Sequence, residues 1–109
     1  MTKKKVFIIS HSHWDREWYL AYEQHHMRLV ELMDDLLELF ETDPDFNSFH
    51  LDGQTIILDD YLQVRPEKRE AVQQAITAGK LQIGPFYILQ DDFLTSSESN
   101  TRNMLIGHK

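Results

Sequence analysis

The stretch "HSHWDREW", residues 11–18, gathers two imidazoles, two carboxylates, a guanidinium and two indoles in eight positions, directly after the apolar run "VFIIS". In an extended backbone side chains alternate, so His11, His13 and Asp15 face one way while Ser12 and Trp14 face the other. Imidazole and carboxylate ligands suit a divalent zinc at about 2.0–2.2 Å, and a catalytic zinc takes three protein ligands and leaves one position for water or substrate. The C-terminal end of a strand in a parallel α/β fold is also where active sites are built. Spacing alone therefore gives a metal site with no reaction attached. Trp18, three residues past Asp15, is either a core indole or a flat platform for the apolar face of a sugar ring. The remaining histidines, His25, His26, His50 and His108, read as hydrogen-bonded structural residues, with His25 and His26 on a solvated helix face. Asp59 and Asp60 read as surface charge.

The elements that must position these residues follow from the hydrophobic pattern. An extended strand is expected at about 5–11. From Leu20 to Phe40 the residues Tyr22, Leu29, Leu32, Met33, Leu36, Leu37 and Phe40 share one stripe at the helical period. That helix must stop at "ETDPDF", where Pro44 cannot continue it. "SFHLDG" reads as a short second strand closed by Gly53, and apolar residues recur through "TIILDDYLQV". "RPEKREAVQQAITAGK" carries a marked helix, with Pro66 in its first turn, Glu67 and Glu70 at the positive end of its dipole, and Gly79 at its left-handed stop. "LQIGPFYIL" reads as a third strand, and Thr95 with Glu98 has capping-box spacing before a last helix.

Alternating strands and helices specify right-handed crossovers around a parallel sheet. Three strands make an incomplete layer, so the expectation is an α/β chain forming the first three β/α units of a larger, barrel-like catalytic domain with parallel strands. Residues 1–109 are then the N-terminal fragment of that domain, and the open edge of the sheet is available for self-association with another chain.

Composition excludes several classes. Eleven basic against eighteen acidic residues leave a formal charge of -7, and the one basic cluster, Lys3 to Lys5, is too short to track phosphates, which argues against nucleic acid. The absence of cysteine leaves only nitrogen and oxygen as metal ligands. The apolar run after Lys5 is four residues long, short of the roughly seven to fifteen of a secretory signal. No stretch approaches the roughly eighteen apolar residues of a membrane span. A soluble, cytoplasmic protein without a membrane partner is the expectation.

"HSHWDREW" resembles the N-terminal motif of glycoside hydrolase family 38, the zinc-dependent retaining α-mannosidases. "LDGQTIILDDYLQVRPEKRE", "GPFYILQDDF" and "SSESNTRNMLIG" are similar to successive segments of its bacterial members, which include mannan-trimming enzymes and mannosylglycerate hydrolases. The resemblance implies that His13 and Asp15 are zinc ligands, that Trp18 is the wall against which a bound mannose rests, and that His11 is a supporting residue. It also implies that Asp91, in "GPFYILQD", lies near the sugar subsite. The sequence departs from the family at Phe86, where tryptophan is common, at Gln90, where proline is common, and at Asp92, where acidity is not uniform. In the family the nucleophilic aspartate and a further histidine ligand lie C-terminal to the segment matching "NMLIGHK". No catalytic nucleophile is therefore expected within residues 1–109, which should be inactive alone. Two rival classes remain at this point. Metal-dependent amidohydrolases also carry an H-x-H motif after a first strand, and a non-catalytic carbohydrate-binding module would bind mannose without zinc.

Overall fold

The structure is a computed structural model and describes residues 3–14, 16, 21–90 and 94–108. Its elements run α1 (Tyr22–Thr42), β1 (Phe49–His50), α2 (Ile56–Val64), a 3-10 turn (Pro66–Lys68), α3 (Arg69–Thr77), β2 (Leu81–Gln82) and α4 (Ser97–Gly107). β1 and β2 pair in parallel, Phe49 with Leu81 and His50 with Gln82. Two lone parallel bridges extend this small sheet, one joining His11 to His50 and the other joining Gln54 to Phe86.

α1 and α3 arise where the sequence pattern predicts helices, and α2 forms where that pattern shows only recurring apolar residues. On α1 the stripe Leu29, Met33, Leu36, Leu37 and Phe40 is buried, because successive turns bring these positions onto one face. Pro44 ends the helix as expected, and Asp43 leaves it in extended geometry with its carboxylate accepting the Asp45 amide. The apolar run "IILDDYLQV" is α2, which packs Ile57 and Tyr61 against the α1 stripe. Val72 and Ala75 of α3 close the core from one side, and Leu51 and Leu81 close it from the strands. Gly79 takes the left-handed conformation, with φ of +76°, that lets the chain leave α3 and enter β2. At the edge of this core the hydroxyl of Tyr61 donates to Asp34 Oδ1 at 2.6 Å, and Arg65 approaches the other oxygen of Asp34 at 3.4 Å.

Three expectations are corrected. The run at 5–11 is not a strand of the sheet: it touches β1 through the bridge at His11 and the His50 amide's bond to Ser10, and Val6, Phe7, Ile8 and Ile9 are exposed. A strand needs neighbours to satisfy its backbone and cover for its faces, and the described residues supply one neighbour at one end. The third strand at 81–89 shortens to β2 because Gly84, with φ of +73°, turns the chain out of extended geometry, and Phe86 rejoins the sheet only through its bridge to Gln54. The cap of α4 is Ser96, whose hydroxyl accepts the Ser99 amide at 3.1 Å, in place of the Thr95–Glu98 box. Glu98 instead pairs with Arg102 one turn on.

The C-terminal end of α4 lies hard against the segment after β2. A Cβ on Gly107 would stand 2.2 Å from the Pro85 carbonyl oxygen and 2.7 Å from the Tyr87 nitrogen, so only glycine fits there. Asn103, one turn earlier, bonds both backbone groups of Ile88 through its side-chain amide, accepting at 2.8 Å and donating at 2.6 Å.

Candidate functional site

The parallel segments end on one side of the sheet, and three loops meet there: His13 and Trp14 after the N-terminal run, residues 51–54 after β1 and residues 83–90 after β2. The middle loop has unusual backbone. Asp52 and Gly53 both have positive φ, +47° and +70°, which turns the chain sharply and brings the Gln54 amide onto the Leu51 carbonyl at 3.0 Å. Aspartate tolerates this region better than most residues, because its short carboxylate bonds locally. Here that carboxylate is aimed at the first loop.

Asp52 Oδ2 accepts the backbone N–H of Trp14 at 2.8 Å and the side-chain amide of Gln54 at 3.2 Å, while Oδ1 stands 3.7 Å from His13 Nδ1. From His11 to Trp14 the expected alternation holds: His11 and His13 are exposed, and Ser12 and Trp14 are half-buried, with Trp14 packed on the core. His13 thus presents its ring to the outside, its side chain 64% exposed, with a carboxylate behind it. His11 is exposed and bonds the Ser12 carbonyl through Nδ1 at 3.1 Å. The expected ligand Asp15, the expected platform Trp18, the expected subsite residue Asp91 and its neighbour Asp92 lie outside the described residues. Among the described residues no three histidines or carboxylates stand together as a metal cluster. Of the expected ligands the described residues include His13, an imidazole of the kind a divalent cation takes, with the Asp52 carboxylate 3.7 Å from its Nδ1.

The other side of the motif is tied to α2. Arg16 makes a two-pronged bond to Asp60, Nε to Oδ2 at 2.7 Å and Nη2 to Oδ1 at 3.1 Å, and lies over the Tyr22 ring at 4.9 Å. Asp60 is 7% exposed, so the expectation of surface charge fails for it. A carboxylate this deep needs partners, and the planar guanidinium supplies two bonds while the Tyr22 hydroxyl donates a longer one to Oδ1 at 3.5 Å. Asp59 does sit on the surface, where it accepts the Tyr87 hydroxyl at 2.9 Å. Burial and that bond raise the Tyr87 hydroxyl above its usual value.

His25 and His26 likewise leave the solvated face assigned to them. His26 is buried, with Nε2 bonded to the Asp60 carbonyl, and His25 packs against Trp14 at 4.1 Å while Nδ1 bonds the Arg16 carbonyl at 3.0 Å. Both are structural residues, as expected, but they serve the motif from behind.

Sequence reasoning missed Asp52, Gln54 and Asp60. Their partners lie 38, 40 and 44 residues away, beyond any local period. The one available signal was "DG" after a short strand, which marks a turn.

Residues 3–109 match the family described as glycosyl hydrolases family 38 N-terminal domain. The chain belongs to glycosyl hydrolase family 38. A protein of Halalkalibacterium halodurans named "Putative mannosylglycerate hydrolase" is 64% identical over 107 residues, which is 98% of this chain and 12% of that protein. The crystal structure of an α-mannosidase from Enterococcus faecalis V583 superposes with a TM-score of 0.93 at 81% identity, covering 97% of this chain and 12% of that one. A second Enterococcus faecalis structure, a protein in the glycosyl hydrolase family 38, gives 0.89 at 78% identity over 99% of this chain and 12% of its own. The chain thus spans about an eighth of the length of these relatives. Family membership favours the glycosidase expectation over the amidohydrolase and binding-module ones. No helix among the described residues is long and apolar enough to cross a membrane.

Proposed function

We propose that this chain supplies the first β/α units of the catalytic domain of a zinc-dependent retaining α-mannosidase of the cytoplasm, acting on an α-mannoside. The observation that carries the reading is the motif "HSHWDREW" in a chain that belongs to family 38, with His13 and Trp14 of that motif set against the loop after β1 through Asp52. His13 and Asp15 would hold the metal, Trp18 would stack on the mannose ring, and Asp91 would contact it from the third loop. A bound zinc supplies Lewis acidity toward sugar hydroxyls and a template for ring orientation. Retention requires two carboxyl groups about 5–5.5 Å apart, one attacking the anomeric carbon and one exchanging a proton with the leaving oxygen. On this reading neither is supplied by residues 1–109, whose part is to bind and orient.

The test uses the intact gene product. Elemental analysis should find about one zinc per chain, and NMR of an aryl α-mannoside digest should show α-mannose as the first product. Loss of that turnover on chelation, and its return with zinc, complete the expected pattern. First-formed β-mannose, or turnover indifferent to chelation, overturns the reading.

A further inference from the structure

The side chain of Gln54 is 1% exposed and makes three hydrogen bonds, two of them to loops from different parts of the chain. Its Nε2 donates to the Trp14 carbonyl at 2.8 Å and to Asp52 Oδ2 at 3.2 Å, and its Oε1 accepts the Leu89 amide at 3.1 Å. Two donors and one acceptor are matched to two acceptors and one donor, so the amide has a single orientation, and turning it over would oppose all three contacts. The Trp14 amide is fixed at the same time by Asp52, so both backbone groups of Trp14 are held from the middle loop. Trp14 lies between His13 and Asp15, and Leu89 lies two residues before Asp91. A residue needed only to fill the core would be apolar here. A buried amide is retained where every bond it makes fixes something.

We propose that Gln54 is a positioning residue that sets the spacing between the loop carrying His13 and Asp15 and the loop leading to Asp91, so that both engage one mannose ring. The assignment rests on the zinc mannosidase reading above and adds to it the strut between the two halves of the sugar site. Gln54 touches neither metal nor substrate. It acts through the backbone at Trp14 and Leu89, with Asp52 as its brace.

Two variants separate the two arms of the strut. Gln54→Glu keeps an oxygen for the Leu89 amide but sets oxygen against the Trp14 carbonyl and the Asp52 carboxylate. Gln54→Met keeps the length and removes all three bonds. In the intact gene product we expect Gln54→Glu to speed amide exchange at Trp14 with Leu89 still protected, and to weaken zinc binding, read by chelator competition, by about tenfold to a hundredfold. Gln54→Met should also free Leu89 and raise KM for an aryl α-mannoside beyond the value for Gln54→Glu. Unchanged exchange at both amides, or zinc affinity within about twofold of wild type in Gln54→Glu, overturns the proposal, that change being well short of the usual effect of such a partner.

If neither variant folds, the wild-type protein decides: adding zinc should slow exchange at Leu89 as well as at Trp14, and protection confined to Trp14 refutes the strut. If wild-type protein takes up no zinc, the mannosidase reading fails by itself. The strut is then judged on exchange in Gln54→Glu and Gln54→Met alone.

Discussion

Two apolar runs in this chain have opposite fates. Met33, in the middle of α1, is fully buried, whereas Ile8, in the run "VFIIS", is 90% exposed. The difference lies in what each backbone requires. A helix satisfies its own amides and carbonyls, so one apolar stripe facing α2 and α3 is enough to bury it. A strand in a parallel sheet must borrow its bonds from neighbours and its cover from both faces. Among the described residues the run at 6–9 has neither, and its contact with β1 begins only at Ser10. Apolar character supplies the tendency to be buried, and topology decides whether burial happens.

Paired substitutions turn that contrast into numbers. Met33→Ala should destabilise the chain by about 2–5 kcal/mol in chemical denaturation, because a close-packed site cannot collapse around the lost atoms. Ile8→Ala should change stability by less than about 0.5 kcal/mol, as expected of an exposed position. Equal costs would mean that 6–9 is packed in solution and that the two regions do not differ in the way argued. The next effect is at the far end, where α4 buries no residue on its own and rests on the segment after β2. Gly107→Ala should cost about 1–3 kcal/mol, the usual range for forcing atoms into filled space. A thermal melt shows it, and an unchanged midpoint would mean that α4 does not dock as described.

The same contrast explains what was legible in the sequence. α1 and α3, with the stop at Pro44 and the left-handed exit at Gly79, were readable because period, cap and breaker are local. The strands were over-read at 5–11 and 81–89, since alternation marks a segment able to pair and says nothing of a partner. The apolar run at 56–64 carried the second helix of the core with no capping signal to announce it, since Thr55 makes no side-chain cap. At the site, the H-x-H alternation placed His13 outward and Trp14 inward correctly. What holds the motif in place was invisible, because Asp52, Gln54 and Asp60 act across tens of residues through side-chain hydrogen bonds. Asp60 looked like surface charge beside Asp59, but it lies on the buried side of α2, where Arg16 and Tyr22 bond it, while Asp59 faces outward.

The smallest expected effect sharpens the comparison from the core side. Burial, reinforced by the bond to Asp34 and by that carboxylate's charge, raises the Tyr61 hydroxyl well above its ordinary value of 10.0, against a smaller opposing influence from Arg65. A group whose folded pKa is raised contributes stability that is complete below the unfolded pKa and is lost as pH climbs through the folded one. Unfolding above pH 10 therefore releases a proton that the folded core retains, and stability should fall there by up to about 1.4 kcal/mol per pH unit. Tyr61→Phe removes this slope while giving up a hydrogen bond worth about 1 kcal/mol at neutral pH. Denaturation midpoints of the two proteins should thus lie apart at pH 7 and approach each other as pH rises past 10. The exposed run at 6–9 has no titrating partner of this kind, so Ile8→Ala should track wild type at every pH. Parallel curves for Tyr61→Phe and wild type through the alkaline range would show that Tyr61 ionises as freely in the folded chain as in the unfolded one, and that its hydroxyl end is open to water beside Asp34.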